Sequence, residues 1–303
     1  MALFHKAEKR KAKLRLGITG TAGSGKTYGA LLVAFGIGGR VALIDTENGS
    51  GDLYSSLGDY DVGVISAPYS VQKYLDAIHE AEQAGYDTII IDSLSHAWSG
   101  EGGLLDMQGK ITASSRSGNS YTAWRQVTPL HNRLIEAILQ SPCHIIATMR
   151  SKTDYIQTET ESGRKEIKKV GLAPVQREGM DYEFTTVFDL QGANHIATVS
   201  KDRTGIFDNQ FFTITQKTGQ VLREWLDSGY DPQRIKNIYN RYLAVCDNQR
   251  NHAMNAMKKI IGDTPSSQLS EEQLLALEED LKNRENGENQ NEIEEETHDE
   301  KIH

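Results

Sequence analysis

The spacing of apolar and polar residues changes several times along this chain of 303 residues, and each change marks an element. Leu14 to Thr19 is a short apolar-rich run and predicts a strand. A Gly-rich turn follows, and Lys26 to Gly36 predicts a helix. Arg40 to Ile44 and Thr88 to Ile91 are short buried runs, the second β-branched, which predicts strands covered on both faces. Between them Val71, Tyr74, Leu75, Ile78 and Ala81 recur at helical spacing, and Gly85 ends that helix. Tyr121 to Gln140 predicts another helix, with Leu130, Leu134, Ile138 and Leu139 on its apolar side. His144 to Met149 reads as a strand. Phe184 to Leu190 and His195 to Ser200 read as two strands joined by a tight turn, and Phe211 to Thr215 as a last one. Strand–helix alternation of this kind predicts an α/β fold with an open, mostly parallel sheet.

Three segments break the rhythm. Ser99 to Ser120 is rich in Gly and Ser and reads as a loop. Ser151 to Gly171 is polar and reads as a long hairpin with Glu161-Ser162-Gly163 at its tip. Beyond Ser228-Gly229, Asp231-Pro232 is a cap followed by a first-turn proline, for a helix running to about Ile261. Ser270-Glu271-Glu272-Gln273 is a capping box that opens another helix. The expected organisation is a basic extension (1–13), an α/β core (14–228), a small helical appendage (229–284) and a tail (285–303) too acidic and too poor in apolar residues to order itself.

Charge sharpens this division. The net charge of −9 is a terminal property: residues 271–303 carry −10 and the rest +1. A near-neutral body neither announces nor forbids a polyanionic partner. No apolar run is long enough to cross a membrane, no cleavable leader follows the basic start, and Cys143 and Cys246 form no pair, so a cytoplasmic, reducing setting is expected. None of the histidines has metal-ligand spacing.

The chemistry concentrates in Gly20-Thr21-Ala22-Gly23-Ser24-Gly25-Lys26-Thr27, which fits G-x-x-x-x-G-K-[ST] at every fixed position, between a predicted strand and a predicted helix. Glycines let backbone N–H groups turn inward around phosphates, and the helix N-terminus adds partial positive charge. Lys26 would reach the terminal phosphates of ATP and the Thr27 hydroxyl would hold Mg²⁺; Tyr28 completes the candidate nucleotide-binding set. Asp92, at the tip of the Ile-rich strand, is the second candidate for Mg²⁺. The residue after it is Ser93, not Glu, so a water-activating base must come from elsewhere. Glu47, just past the strand ending in Asp45, is the candidate, with Asp45 as the fallback.

Together these residues resemble the RecA/RadA core of P-loop ATPases, in which the catalytic Glu lies on the strand next to that of the magnesium Asp. Asp45-Thr46-Glu47 resembles that family's D-x-E signature. Ser200-Lys201-Asp202-Arg203-Thr204-Gly205 resembles the Lys-x-Arg-x-Gly stretch of RadA and DnaB-type helicases. The resemblance implies that Lys201 and Arg203 are catalytic cations reaching a neighbouring subunit's γ-phosphate. Ala123-Trp124, Met149 to Lys152, Gln176 to Gly179 and Tyr182 to Phe184 are similar to RecA-like ATPases encoded by bacteriophages, a group linked to single-strand annealing and recombination. The resemblance covers about residues 14–215. Thr148 stands near the place of the RecA glutamine sensor and is a candidate γ-phosphate sensor. A RecA-type N-terminal polymerisation segment is not found, so a ring or filament would use other contacts.

The resemblance further implies single-stranded DNA, a homo-oligomer and a single-strand binding protein as partners. Segments 99–120, with Lys110 and Arg116, and 151–171, with Lys152, Arg164, Lys165, Lys168 and Lys169, would line the DNA path. Alternative expectations are a DnaB- or RadA-like translocase or helicase motor, a small-molecule phosphotransferase, and a nucleotide-gated scaffold that turns over negligibly.

Overall fold

The computed structural model describes residues 7, 9–115, 118–159, 165–192, 194–229 and 231–299, with the backbone alone for 153–172, 267 and 287–299. The chain forms two compact units, Lys13–Trp225 and Leu226–His303 together with Met1–Ala12.

In the first unit the predicted alternation is present, with additions. Its strands are β1 (Arg15–Gly20), β2 (Val41–Asp45), β3 (Asp61–Val64), β4 (Thr88–Asp92), β5 (His144–Glu159), β6 (Lys165–Pro174), β7 (Thr186–Leu190), β8 (Ile196–Asp202) and β9 (Phe212–Thr213). Its helices are α1 (Lys26–Ile37), α2 (Val71–Gln83), α3 (Leu94–Ser99), α4 (Leu104–Ser114), α5 (Ser120–Gln140) and α6 (Gln216–Asp227), the last running two residues past the unit boundary. The sheet order is β3-β2-β4-β5-β1-β7-β8-β9. From β3 to β7 neighbouring strands are parallel; β8 and β9 turn back antiparallel. This is an α/β fold of P-loop NTPase type. The central strands are apolar throughout because both faces are covered. Ile89, Ile91, Ile145, Ala147 and Met149 pack with Tyr74, Val127 and Leu134 of α2 and α5 on one face. On the other side α1 and α6 meet at paired glycines. A methyl group at Gly36 would fall 1.9 Å from the Gln216 carbonyl oxygen, and one at Gly219 2.2 Å from that of Val33.

Two interruptions prove to be structured. The Gly/Ser-rich segment expected to be a loop contains α4. Leu104 is buried, and Met107 and Ile111 pack beside it on the same core, so a helical period was present among the polar residues. The nearby glycines serve close approach rather than looseness: Gly102 has φ +75°, and a Cβ there would meet Pro68 at 2.4 Å. The polar segment after β5 is a hairpin, as predicted, but β5 is one continuous strand that leaves the core sheet and pairs antiparallel with β6 from Ser151↔Pro174 outward. The expected tip, 161–163, lies outside the described residues.

Among its described residues the second unit contains three long helices, α7 (Pro232–Ala244), α8 (Arg250–Ile261) and α9 (Glu271–Asp299). Asp231 caps α7 by accepting from the amides of Gln233 and Arg234. Ser270 and Gln273 make the reciprocal bonds of the capping box. The single helix expected to Ile261 is two, broken where Asp247 and Asn248 adopt φ of 52° and 58° and the Asn248 amide closes onto the Leu243 carbonyl. Tyr242, Ile238, Leu277 and Leu281 form the core of this unit. The backbone of α9 continues to Asp299, where composition predicts no order; a proline-free run rich in Glu, with one Gly, has helix as its local default. The packed part ends earlier, with Leu281 buried and Arg241 paired to Glu285.

Candidate active site

β1 ends at Gly20, in register with Arg150 of β5 and Leu190 of β7, so the loop that follows emerges at the C-terminal edge of the parallel strands. Only glycine fits at position 20, since a Cβ would lie 2.3 Å from Ser24 Oγ and 3.0 Å from the Leu190 carbonyl oxygen. Gly23 and Gly25 have φ of 73° and 89°, and no atom lies within 4 Å of where a Gly23 Cβ would be. The loop is therefore an open cradle. Ser24 Oγ is buried in it with no hydrogen-bond partner. Lys26 Nζ rests on the Thr21 carbonyl at 2.9 Å. Burial holds this ammonium below its ordinary pKa, against the pull of Asp92 and Glu47 and with the push of Arg150. An ammonium lying on a carbonyl, an orphaned hydroxyl and a glycine-lined cradle all fit a phosphate.

The metal candidates meet. Thr27 Oγ1 donates to Asp92 Oδ2 at 2.5 Å, and Thr148 Oγ1 donates to Asp92 Oδ1 at 2.5 Å. Asp92 is 2 % exposed, and burial raises its pKa despite the two hydroxyls. A divalent cation would reverse that balance. A hydroxyl beside one buried carboxylate, open to phosphate oxygens, is a donor set suited to Mg²⁺. Thr148, expected as a phosphate sensor, spends its hydrogen on Asp92.

β2 and β4 bring Glu47 to the same edge. Asp45 is in register with Asp92, and the Thr46 amide donates to the Asp92 carbonyl at 2.7 Å. The Glu47 carboxylate is gripped by a fork: Arg150 Nε donates to Oε1 at 3.0 Å and Nη2 to Oε2 at 2.5 Å, while Ser93 Oγ donates to Oε1 at 3.1 Å. Burial alone would raise the Glu47 pKa, but Arg150, with His96 and Ser93 adding, holds it below the ordinary value. Asp45, the fallback base, is fully buried and accepts the amides of Glu47 (2.5 Å) and Gly51 (3.0 Å). It shapes the loop and has no free face for water.

Lys201 and Arg203 lie elsewhere. β8 runs antiparallel to β7, so Asp202 pairs with Thr186, which in turn is level with Leu16 at the start of β1. The two cations sit about four residues, roughly 13 Å along a strand, from the edge that carries the phosphate loop. Both converge on the backbone of the turn Met180–Glu183. Lys201 Nζ donates to the carbonyls of Asp181 (3.1 Å) and Tyr182, and Arg203 Nη2 to that of Tyr182 at 3.1 Å. The expected DNA residues are dispersed too. Lys110 is on α4 and paired with Asp106 at 2.7 Å, Lys152 is exposed on β5, and Lys165, Lys168 and Lys169 are on β6. Arg116 and Arg164 lie outside the described residues.

Sequence reasoning missed two parts of the site. One is the Arg150–Glu47 fork. The other is a cleft of about 430 Å³ beside the loop, walled by Tyr28, Tyr54, Leu190, His195 and Ile214. Tyr28 and Tyr54 meet edge to face at 6.2 Å, and His195 Nδ1 lies 3.0 Å from the Ser24 carbonyl oxygen. Apolar walls and two tyrosines next to a phosphate cradle can take a nucleobase. No local signal marks Leu190, His195 or Ile214, because each arrives from a strand or turn far along the chain.

No curated protein matches the chain. A family model described as "AAA domain" matches residues 12–251, a span holding the cradle, Lys26, Thr27, Asp92 and Glu47. With that match over most of its length, the chain belongs to the AAA domain family, a family of P-loop ATPase type.

Proposed function

We propose that this protein hydrolyses ATP with Mg²⁺, and that assembled copies do so on single-stranded DNA. The observation that carries the first part is the meeting of Thr27, Asp92 and the Lys26 cradle at one edge of the sheet, with Glu47 on the adjoining strand. The loop amides and Lys26 would hold the triphosphate, and Thr27 and Asp92 would hold the ion, which when bound would neutralise phosphate charge. Glu47 accepts a proton from water as its oxygen bonds to the γ phosphorus and the bond to the bridging oxygen breaks, leaving ADP and inorganic phosphate. Lys26→Ala should abolish nucleotide binding, read by titration with a fluorescent ATP. Glu47→Gln should keep binding and slow turnover on the order of 10²-fold or more. Full turnover by Glu47→Gln would move the base elsewhere.

Two features support the second part. The paired arm of β5 and β6 leaves the core sheet at the nucleotide edge and carries lysines in both strands. In the same unit a cleft is lined by Trp98 and Trp124, which stack at 5.7 Å and are partly buried against the core, by Arg177, which lies over the Trp124 ring, and by Tyr182, which is 70 % exposed, so that unpaired bases could stack on its exposed aromatic edges. In such an assembly Lys201 and Arg203, remote from their own loop, serve the site of the next copy. Turnover with and without an oligonucleotide tests this; no stimulation, together with phosphorylation of a small metabolite, would instead favour a phosphotransferase.

A further inference from the structure

A base that takes a proton from water must be held to within about 0.5 Å, and that precision comes from the residues packed around it. Next to Glu47 stands a short polar network. Thr46, the residue before it, is fully buried, and its hydroxyl accepts from the Ser93 amide at 2.8 Å. Ser93, also buried, turns its own hydroxyl to Glu47 Oε1 at 3.1 Å. The Thr46 hydroxyl thus ties the tip of β2 to the residue that follows Asp92, and both of the residues it joins bear on Glu47.

The further partner of that hydroxyl is His96, on α3. Its Nδ1 lies 2.7 Å from Thr46 Oγ1, nearer than the carbonyl oxygens of Asp92 (3.2 Å) and Ser93 (3.3 Å), which the same hydroxyl faces. A neutral imidazole nitrogen either accepts from a hydroxyl or donates to it, so the pair is bonded in both tautomers. The ring is itself held. It stacks on Tyr69 at 4.7 Å with 18° between the planes, and the Tyr69 hydroxyl donates to the Thr46 carbonyl at 3.4 Å. Gly100 makes room for the stack, since a Cβ there would lie 2.7 Å from the Tyr69 ring and 2.7 Å from the His96 carbonyl oxygen. His96 and Tyr69 therefore grip Thr46 by its side chain and by its backbone. Packing on Tyr69 needs only a flat ring at position 96; the bond to Thr46 needs a nitrogen.

We infer that His96 is a positioning residue for the hydrolytic base: by holding the Thr46 hydroxyl it fixes the tip of β2 and, through the Ser93 amide, the serine hydroxyl that meets Glu47. The inference rests on the hydrolytic reading of the site, in which Glu47 is the base. His96 acts on that carboxylate through Thr46 and Ser93. Without the imidazole the Thr46 hydroxyl turns to the carbonyls of Asp92 and Ser93, and this tie between α3 and the tip of β2 is lost. Arg150 still holds Glu47 from the side of β5, so the base is loosened and not freed, and the loss is smaller than that of Glu47 itself.

The test compares two substitutions at one position of the full chain, with turnover and nucleotide binding measured separately. His96→Phe keeps a flat ring against Tyr69 and removes the nitrogen. It should lower kcat about 10-fold, the scale of a small misplacement, with KM for ATP and affinity for ADP unchanged. His96→Asn, whose side-chain amide can stand where Nδ1 stands, should recover much of the loss. Thr46→Val removes the same bond from its other end, so adding His96→Phe to it should cost nothing more. Nor should His96→Phe cost anything further in a Glu47→Gln background. ADP with Mg²⁺ and aluminium fluoride, a mimic of the transferring phosphoryl group, gives a readout that needs no turnover: His96→Phe should bind it about 10-fold more weakly and ADP alone equally. Should His96→Phe fold poorly, Thr46→Val decides by the same split between kcat and KM. Full turnover by His96→Phe, equal losses with Phe and Asn, additive losses with Thr46→Val, or a further loss behind Glu47→Gln would overturn the inference. The hydrolytic reading fails on different results: full turnover by Glu47→Gln, or none by the wild-type chain. In the second case binding of the mimic still decides whether His96 positions the site.

Discussion

Gly20 shows how much of the site rests on one absent methyl group. Its neighbours, Ser24 Oγ and the Leu190 carbonyl, stand where a Cβ would go. Gly20→Ala must push the loop off β7, and overpacking of this kind costs about 1–3 kcal/mol. We expect a lower melting temperature together with lost nucleotide affinity; a stable variant with full affinity would show that the cradle tolerates more than its geometry suggests. Asp92 carries the opposite burden, being a buried carboxylate that two hydroxyls satisfy. Asp92→Asn keeps the shape and removes the charge. It should leave the fold stable and weaken Mg²⁺-dependent nucleotide binding, measured by titrating Mg²⁺ at fixed nucleotide.

Among the elements, the helical unit offers a separate test. Arg234 donates to Glu278 and Glu271, and Arg241 to Glu285, bracing α7 against α9. The hydrogen bonds from Arg234 hold Glu278 below the ordinary glutamate value, and those from Arg241 do the same for Glu285. A depressed carboxylate contributes stability that is complete above its unfolded value, about 4.3, and is lost as pH falls through the lower folded one. Amide protection in α7 and α9, taken relative to the intrinsic exchange rate at each pH, should therefore fall below about pH 4.3. Arg234→Gln should flatten that acid dependence, and an unaltered profile would mean that the braces contribute nothing. Tyr242→Phe, which removes a hydroxyl shared with the Leu277 carbonyl and Asp280, should cost about 1 kcal/mol of this unit's stability. These helices were legible through their caps, because a cap is a contact between near neighbours. α4 was not, since the glycines and serines that flank it drew a loop over a helical period that Leu104, Met107 and Ile111 do carry. The break at Asp247–Asn248 was hidden because polar residues in a left-handed turn look like any solvated helix face.

For the whole molecule the deciding question is where Lys201 and Arg203 act. Mixing Lys26→Ala with Arg203→Ala chains tests it: if Arg203 serves the next copy's nucleotide, the mixture recovers part of the turnover that neither variant has alone. Failure to recover, with mixed assemblies verified, would place Arg203 in a structural role at the Tyr182 turn. Trp124→Ala should weaken single-stranded DNA binding by about 1–3 kcal/mol if bases stack there, with nucleotide affinity unchanged.

The phosphate cradle could be read from eight successive residues, Gly20 to Thr27, because everything it requires is local: permissive glycines, one long cation, one hydroxyl, and a strand and a helix on either side. The alternation of buried strands and amphipathic helices was equally open to reading, since periodicity follows directly from which faces are covered. What Glu47 holds was not. Its partner stands 103 residues away and comes within reach only because β5 lies between β4 and β1. Nor could the sequence tell that Lys201 and Arg203 point away from their own loop. That depends on the direction in which β8 turns back, and strand order and direction are properties of the packed sheet, not of any one segment.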